Sequence, residues 1–278
     1  MNLTWLQSGL YGFISGLMDI LPVSAPAHKV LLLKFLGGYT ANETMDFLIH
    51  LGIFAGLYFS CQSQIIRINR ARALARIPKR RRRRPLDVRS LMDWSMLKTM
   101  LIPVVLGLFL YQYAVKLNNN LMLISIFLLV NGVVLYIPQF FPSSNRDSRT
   151  LSRVEGLLVG LGATVSVLPG MSAVGAAISI GSLCGIDRSY SLTMALMMNM
   201  GLNLGLAIYD LLGVFSSGLG TLSFLIVIRY LLTALIAFGG SLLGVKLMRY
   251  LAADHGYAVF AFYCTGLALF TFILNLVA

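Results

Sequence analysis

Leu21-Pro22-Val23-Ser24-Ala25-Pro26 interrupts an apolar stretch that runs over residues 3–37. Proline lacks the N–H that a helix ladder needs, and it pushes the residue before it out of the helical region. The stretch is therefore predicted to form two short helices joined by a non-helical tip. A second stretch, 154–186, is broken the same way by Leu168-Pro169-Gly170-Met171-Ser172. Each half is too short to cross a hydrocarbon core, which takes roughly 20 helical residues. The expected geometry is a re-entrant hairpin that enters and returns on one side.

Around the hairpins lie six apolar stretches of spanning or near-spanning length, at about 45–60, 96–115, 121–141, 189–213, 222–244 and 256–277. Of the 278 residues, 58% are apolar and only 12% charged, and the mean hydropathy is +0.81. A soluble domain carries roughly 25% charged residues. These numbers exclude a soluble domain, a disordered chain and a fibrous repeat. The Leu/Ile/Val/Gly-rich blocks lack the alternation that barrel strands need. Cys61, Cys184 and Cys264 are isolated, which argues against a disulfide framework. No basic residue precedes Lys29, and Asp19 lies inside the first apolar stretch, so no signal-peptide pattern is expected. The fold class is an all-α polytopic membrane protein, with 1–278 as a single membrane domain.

Charge sets the orientation. Eleven of the 22 basic residues fall between Arg67 and Arg89, including the unbroken run Lys79 to Arg84. With no interleaved aromatics for base stacking, the run argues against nucleic acid. It reads as a cytoplasmic loop, about 61–95, that touches anionic lipid headgroups. Tracing the spans from there puts Arg146, Arg149, Arg153, Arg188, Lys246 and Arg249 inside as well. Arg229 is the main exception, and both termini fall outside. Hairpin 3–37 then enters from outside and hairpin 154–186 from inside. The halves 1–145 and 146–278 are expected to form an inverted-topology repeat, each one hairpin plus three spans. Each hairpin is followed by a Gly-rich span, Leu51-Gly52…Gly56-Leu57 and Gly201-Leu202…Gly205-Leu206. In such repeats the broken-helix tips meet near the midplane and build the binding site, with helix N-termini turned toward anions.

The first tip places Ser15, Asp19, Ser24 and His28 within one apolar segment. An ionisable residue at membrane depth is costly and usually functional. The bland alternative is that Asp19 caps a helix and His28 satisfies a freed backbone group. The second tip offers Gly170, Ser172 and Gly175, whose glycines permit close backbone approach to a ligand or, alternatively, tight helix packing. The pocket is expected between the tips, lined by Asp19, Ser24, His28, Gly170 and Ser172.

Ser15-Gly16-Leu17-Met18-Asp19-Ile20-Leu21-Pro22-Val23-Ser24-Ala25-Pro26-Ala27-His28 resembles the first signature of the undecaprenyl pyrophosphate phosphatase family, Glu-Gly-x-x-Glu-x-x-Pro-x-Ser-Ser-x-x-His. Pro169-Gly170-Met171-Ser172-Ala173-Val174-Gly175 resembles the second, Pro-Gly-x-Ser-Arg-Ser-Gly. The resemblance implies a multi-pass enzyme of the bacterial inner membrane, with its site toward the outer face. It would hydrolyse polyprenyl pyrophosphate to recycle the lipid carrier of cell-wall synthesis. Asp19, Ser24 and His28 would be catalytic, Ser15, Gly170, Ser172 and Gly175 would bind substrate, and Asp19 would hold a divalent cation, Mg2+ or Ca2+. A homodimer is one assembly compatible with it. Several signature positions depart from the pattern: Ser15 and Asp19 replace glutamates, Ala25 a serine, Ala173 the arginine and Val174 a serine. A guanidinium clamps phosphate oxygens through paired hydrogen bonds, so the arginine is the costliest loss. The alternative expectation is a catalytically degenerate polyprenyl-phosphate binder or flippase.

Overall fold

A computed structural model describes residues 3–37, 42–141, 145–217, 223–254 and 257–277. Helix α1 (Trp5–Ile20) starts at Thr4, whose Oγ1 accepts from the Gln7 N–H while Gln7 returns a bond to the Thr4 N–H. Leu21, held extended before Pro22, ends it. Helix α2 (Ala25–Phe35) follows with Ser24 as N-cap and Pro26 in its first turn, where no N–H is needed. The second hairpin repeats this construction. Helix α7 (Arg153–Thr164) opens with a Ser152/Glu155 capping box, and α8 (Ala173–Leu183) starts from N-cap Ser172. Between them Gly170 takes φ +119°, a left-handed conformation that favours glycine. At 11 residues each, α2 and α8 reach about 16 Å, half of a hydrocarbon core.

The other helices are α3 (Glu43–Ser60), α4 (Gln62–Ala75), α5 (Val88–Ala114), α6 (Leu121–Tyr136), α9 (Arg188–Ser217), α10 (Phe224–Asp254) and α11 (Ala258–Val277). Five of the described helices are long and apolar enough to cross a membrane alone, and α3 with α4, bent by 69°, gives a sixth. The chain is a multi-pass membrane protein. The expected spans match these helices, although the first residues of the last two, 222 and 256, lie outside the described residues. The basic segment differs from expectation. It is not a plain loop over 61–95, because α4 begins at Gln62 and α5 already at Val88. Alanines and arginines are strong helix formers, so charge did not prevent helix there.

Glycines let the hairpins dock closely. On α1, a Cβ at Gly12 or Gly16 would lie 2.4 Å from the Thr233 carbonyl oxygen or 2.1 Å from that of Ala237, both on α10. On α7, a Cβ at Gly160 would lie 2.2 Å from the Met100 carbonyl oxygen of α5. Small residues four apart allow such backbone approach where no hydrophobic force drives helices together. Arg229 donates to the Leu3 carbonyl, which gives its charge a partner at the start of α1.

At the end of the helices that joins the basic segment, Asp93 is fully buried. It accepts from Arg67 Nη2 (3.1 Å), Ser148 Oγ (2.5 Å) and Tyr190 OH (3.2 Å), tying α4, α5, the 145–152 segment and α9 together. Hydrogen bonds from Arg149 hold the neighbouring Asp147 carboxyl below the usual carboxylate range. Removing a shared buried acceptor strands its donors. Asp93→Ala is therefore expected to cost about 2–4 kcal/mol. Purified in detergent, it should melt several degrees below wild type; an unchanged melting point would show that the network contributes nothing.

Candidate functional site

The two tips touch. Ser24 Oγ accepts from the Gly170 N–H at 2.8 Å, and Ser172 Oγ donates to the Leu21 carbonyl at 3.3 Å. Asn131 of α6 braces both: its amide donates to the Pro22 carbonyl at 3.2 Å and its oxygen accepts from the Ser172 N–H at 3.1 Å. These bonds satisfy backbone groups that the broken helices leave over.

Beside the joined tips lies a cavity of about 310 Å³. The first turns of α2 (Ala25, Pro26) and α8 (Ala173) line it, with Val23, Met171 and Ser172 of the tips. Helix N-termini carry partial positive charge and suit an anion. Its polar walls come from Tyr11 and Asp19 of α1, Lys29 of α2, Glu43, Asp46 and His50 of α3, Tyr111 of α5, and Tyr209 and Asp210 of α9. Asp19 Oδ2 accepts from Asn199 Nδ2 and Asn203 Nδ2, each at 2.8 Å. Lys29 Nζ stands 2.7 Å from Asp46 Oδ1, which also accepts from Tyr11 OH at 2.9 Å. His50 Nδ1 lies 2.7 Å from Asp210 Oδ2.

Of the residues expected from the sequence, Asp19 and Ser172 line this cavity, whereas Ser15, Ser24, His28, Gly170 and Gly175 do not. Ser24 is fully buried, its oxygen committed to Gly170 and Ala27. His28 sits 2.6 Å from the Ser24 carbonyl and 2.7 Å from Tyr263 OH of α11, against whose ring it stacks. The reason is helical phase. The cavity face of α2 carries residues 25, 26, 29, 30 and 33, and His28 is turned roughly 100° from Lys29. Ser15 donates to the Tyr11 carbonyl of its own helix at 2.6 Å. Gly170 and Gly175 serve tip packing, since a Cβ on Gly175 would lie 2.8 Å from Leu135 and 3.0 Å from Pro22.

Sequence reasoning missed Lys29, Asp46, His50, Asp210 and the pair Asn199/Asn203. The signals were there. Asp46 and His50, like the amides Asn199 and Asn203, are four apart on one face of a largely apolar helix, and ionisable residues at membrane depth, Asp46, His50 and Asp210 among them, are functional by default. A divalent cation fits this donor set poorly. The Asp19 carboxylate already holds two amide N–H groups, Asp46 holds Lys29 and Tyr11, and Asp210 holds His50. Among the described residues no three His, Cys, Asp or Glu side chains gather as a metal site. Such ions take about six or more oxygen ligands.

Comparison with known proteins agrees with the two signatures. The family model described as "Bacitracin resistance protein BacA" matches residues 9–270. A protein of Methanobrevibacter smithii named undecaprenyl-diphosphatase is 26% identical over 273 residues, covering 96% of both chains. One of the same name from Halothermothrix orenii is 25% identical over 255 residues, covering 91% of each. A third, from Renibacterium salmoninarum, is 28% identical over 208 residues, 74% of this chain and 73% of the relative.

Proposed function

Because the chain belongs to the BacA bacitracin-resistance family, we propose that it is an undecaprenyl-diphosphatase, which hydrolyses a polyprenyl pyrophosphate to the monophosphate for reuse in cell-wall synthesis. The observation that carries this reading is that both signature tips open on one cavity that Asp19 lines. The pyrophosphate lies against the first turns of α2 and α8. A water attacks the terminal phosphorus and passes its proton to Asp19, while the P–O–P bond breaks and the lipid phosphate leaves. Water is the nucleophile here, because Ser24 and His28 spend their polar atoms on the tips and on Tyr263. The test is phosphate release from polyprenyl pyrophosphate by the purified protein, with and without Mg2+. A second reading, binding or translocation of polyprenyl phosphate without hydrolysis, is favoured by Ala173 at the arginine position. Binding without phosphate release would establish it.

In this reading the protein sits in the cell membrane with its site toward the outer face. Charge placement supports this, and so does the cavity's position. It is lined by Glu43 at the start of α3 and by Val115 and Asn118 after α5, the ends remote from the basic segment. Lys79 to Arg84 meet anionic headgroups on the cytoplasmic side. A single cysteine at Arg83→Cys should resist an impermeant thiol reagent in intact cells and react after lysis. Equal labelling in both would invert the orientation. We also infer that the two halves form an inverted repeat, and the helix contacts support it: α1 docks on α10 as α7 docks on α5, while α3–α9 and α6–α11 pair across the halves. That exchange is what a two-fold axis in the membrane plane would produce.

A further inference from the structure

We propose that Lys29 is the cation that holds the pyrophosphate in this cavity, in place of the guanidinium missing at Ala173. The proposal rests on the phosphatase reading for the identity of the anion, but its geometry stands by itself. Lys29 and Ala173 line the same cavity, and Lys29 is the sole Lys or Arg among the described residues that do. The carboxylates of Asp19, Glu43, Asp46 and Asp210 also face it, and His50 is engaged with Asp210. An anion entering without Lys29 would meet net negative charge in a low-dielectric site.

The ion pair of Lys29 is built to exchange. Asp46 Oδ1 receives two donors, Lys29 Nζ at 2.7 Å and Tyr11 OH at 2.9 Å. When Lys29 turns to a phosphate oxygen, Asp46 keeps the tyrosine hydroxyl and is not left bare, a state that would otherwise be strongly destabilising. The lysine side chain is 16% exposed, enough to face the cavity while its stem stays packed. An ammonium is a point charge with three donors, not a planar fork, so it tolerates either phosphate of the diphosphate.

The test is titration of the full-length protein in detergent with inorganic pyrophosphate, read by 31P NMR, with each variant's melting point measured beside it. Lys29→Met should bind at least about tenfold more weakly, the scale of a charge-assisted phosphate contact. Lys29→Arg should stay within a few-fold of wild type. Asp46→Asn should bind several-fold more tightly, because it frees Lys29 and removes a repelling charge. Opposite signs for Lys29→Met and Asp46→Asn are the signature of an exchangeable clamp. If the pair merely braces α2 against α3, both variants weaken binding and lower the melting point alike, and the proposal is overturned. It is equally overturned if the wild type binds no pyrophosphate. Pyrophosphate binding in the expected order, with no phosphate released from polyprenyl pyrophosphate, upholds Lys29 and removes the hydrolase reading alone.

Discussion

Asp19→Asn is expected to lower phosphate release about a thousandfold while leaving the protein folded. The variant conserves volume, and its Oδ1 can still accept from the Asn199 and Asn203 amides that now converge on Asp19 Oδ2 at 2.8 Å. What it loses is the proton acceptor for the attacking water. His28 cannot take over, since its two ring nitrogens face the Ser24 carbonyl and Tyr263 OH outside the cavity. Binding of the lipid pyrophosphate should hold or tighten slightly, because one repelling carboxylate is gone. Phosphate release and pyrophosphate titration on the same preparation separate the two effects. Wild-type hydrolysis that survives Asp19→Asn at full rate would move the chemistry away from this cavity.

The hairpins were legible in the sequence because proline acts locally. Pro22 stops α1 at Ile20, Pro169 stops the 3-10 turn Val165–Val167 that continues α7 beyond Thr164, and Ser24 and Ser172 sit where an N-cap must. The site was legible only in part, because membership of a signature does not fix which way a side chain points. Asp19 and His28 both lie in the first motif, yet the phase of α2 carries His28 to Tyr263 on α11, 235 residues away in sequence. Lys29, next to it, reaches the cavity instead. Ser24, the remaining signature hydroxyl of its pair, spends itself on Gly170 of the other hairpin. No local rule announces a contact 146 residues distant. The polar partners on α3 and α9 followed a readable rule, ionisable residues at helical spacing in apolar spans, but only packing shows that α3 and α9 face each other.

Ala173→Arg is the expected gain of function, with hydrolysis raised about a hundredfold or more. Ala173 is the first residue of α8 and lines the cavity, so a longer side chain there grows from a helix N-terminus toward the reacting phosphates. A guanidinium would add paired hydrogen bonds where charge develops on the transferred phosphoryl group, which Lys29 as a point charge supplies less well. It would also offset the cavity's surplus of carboxylates. In the Lys29→Met background the same substitution should restore pyrophosphate binding, as expected of two cations serving one anion. Ser15→Glu, a change toward the first signature, should not help. Ser15 is buried with its hydroxyl spent on the Tyr11 carbonyl, away from the cavity lining, so a glutamate there would bury a carboxylate without a partner. Its expected result is loss of folded protein, measured as a lower melting point. If Ala173→Arg binds pyrophosphate more tightly yet hydrolyses no faster, the cavity binds the lipid without catalysing its cleavage, and the second functional reading takes the place of the first.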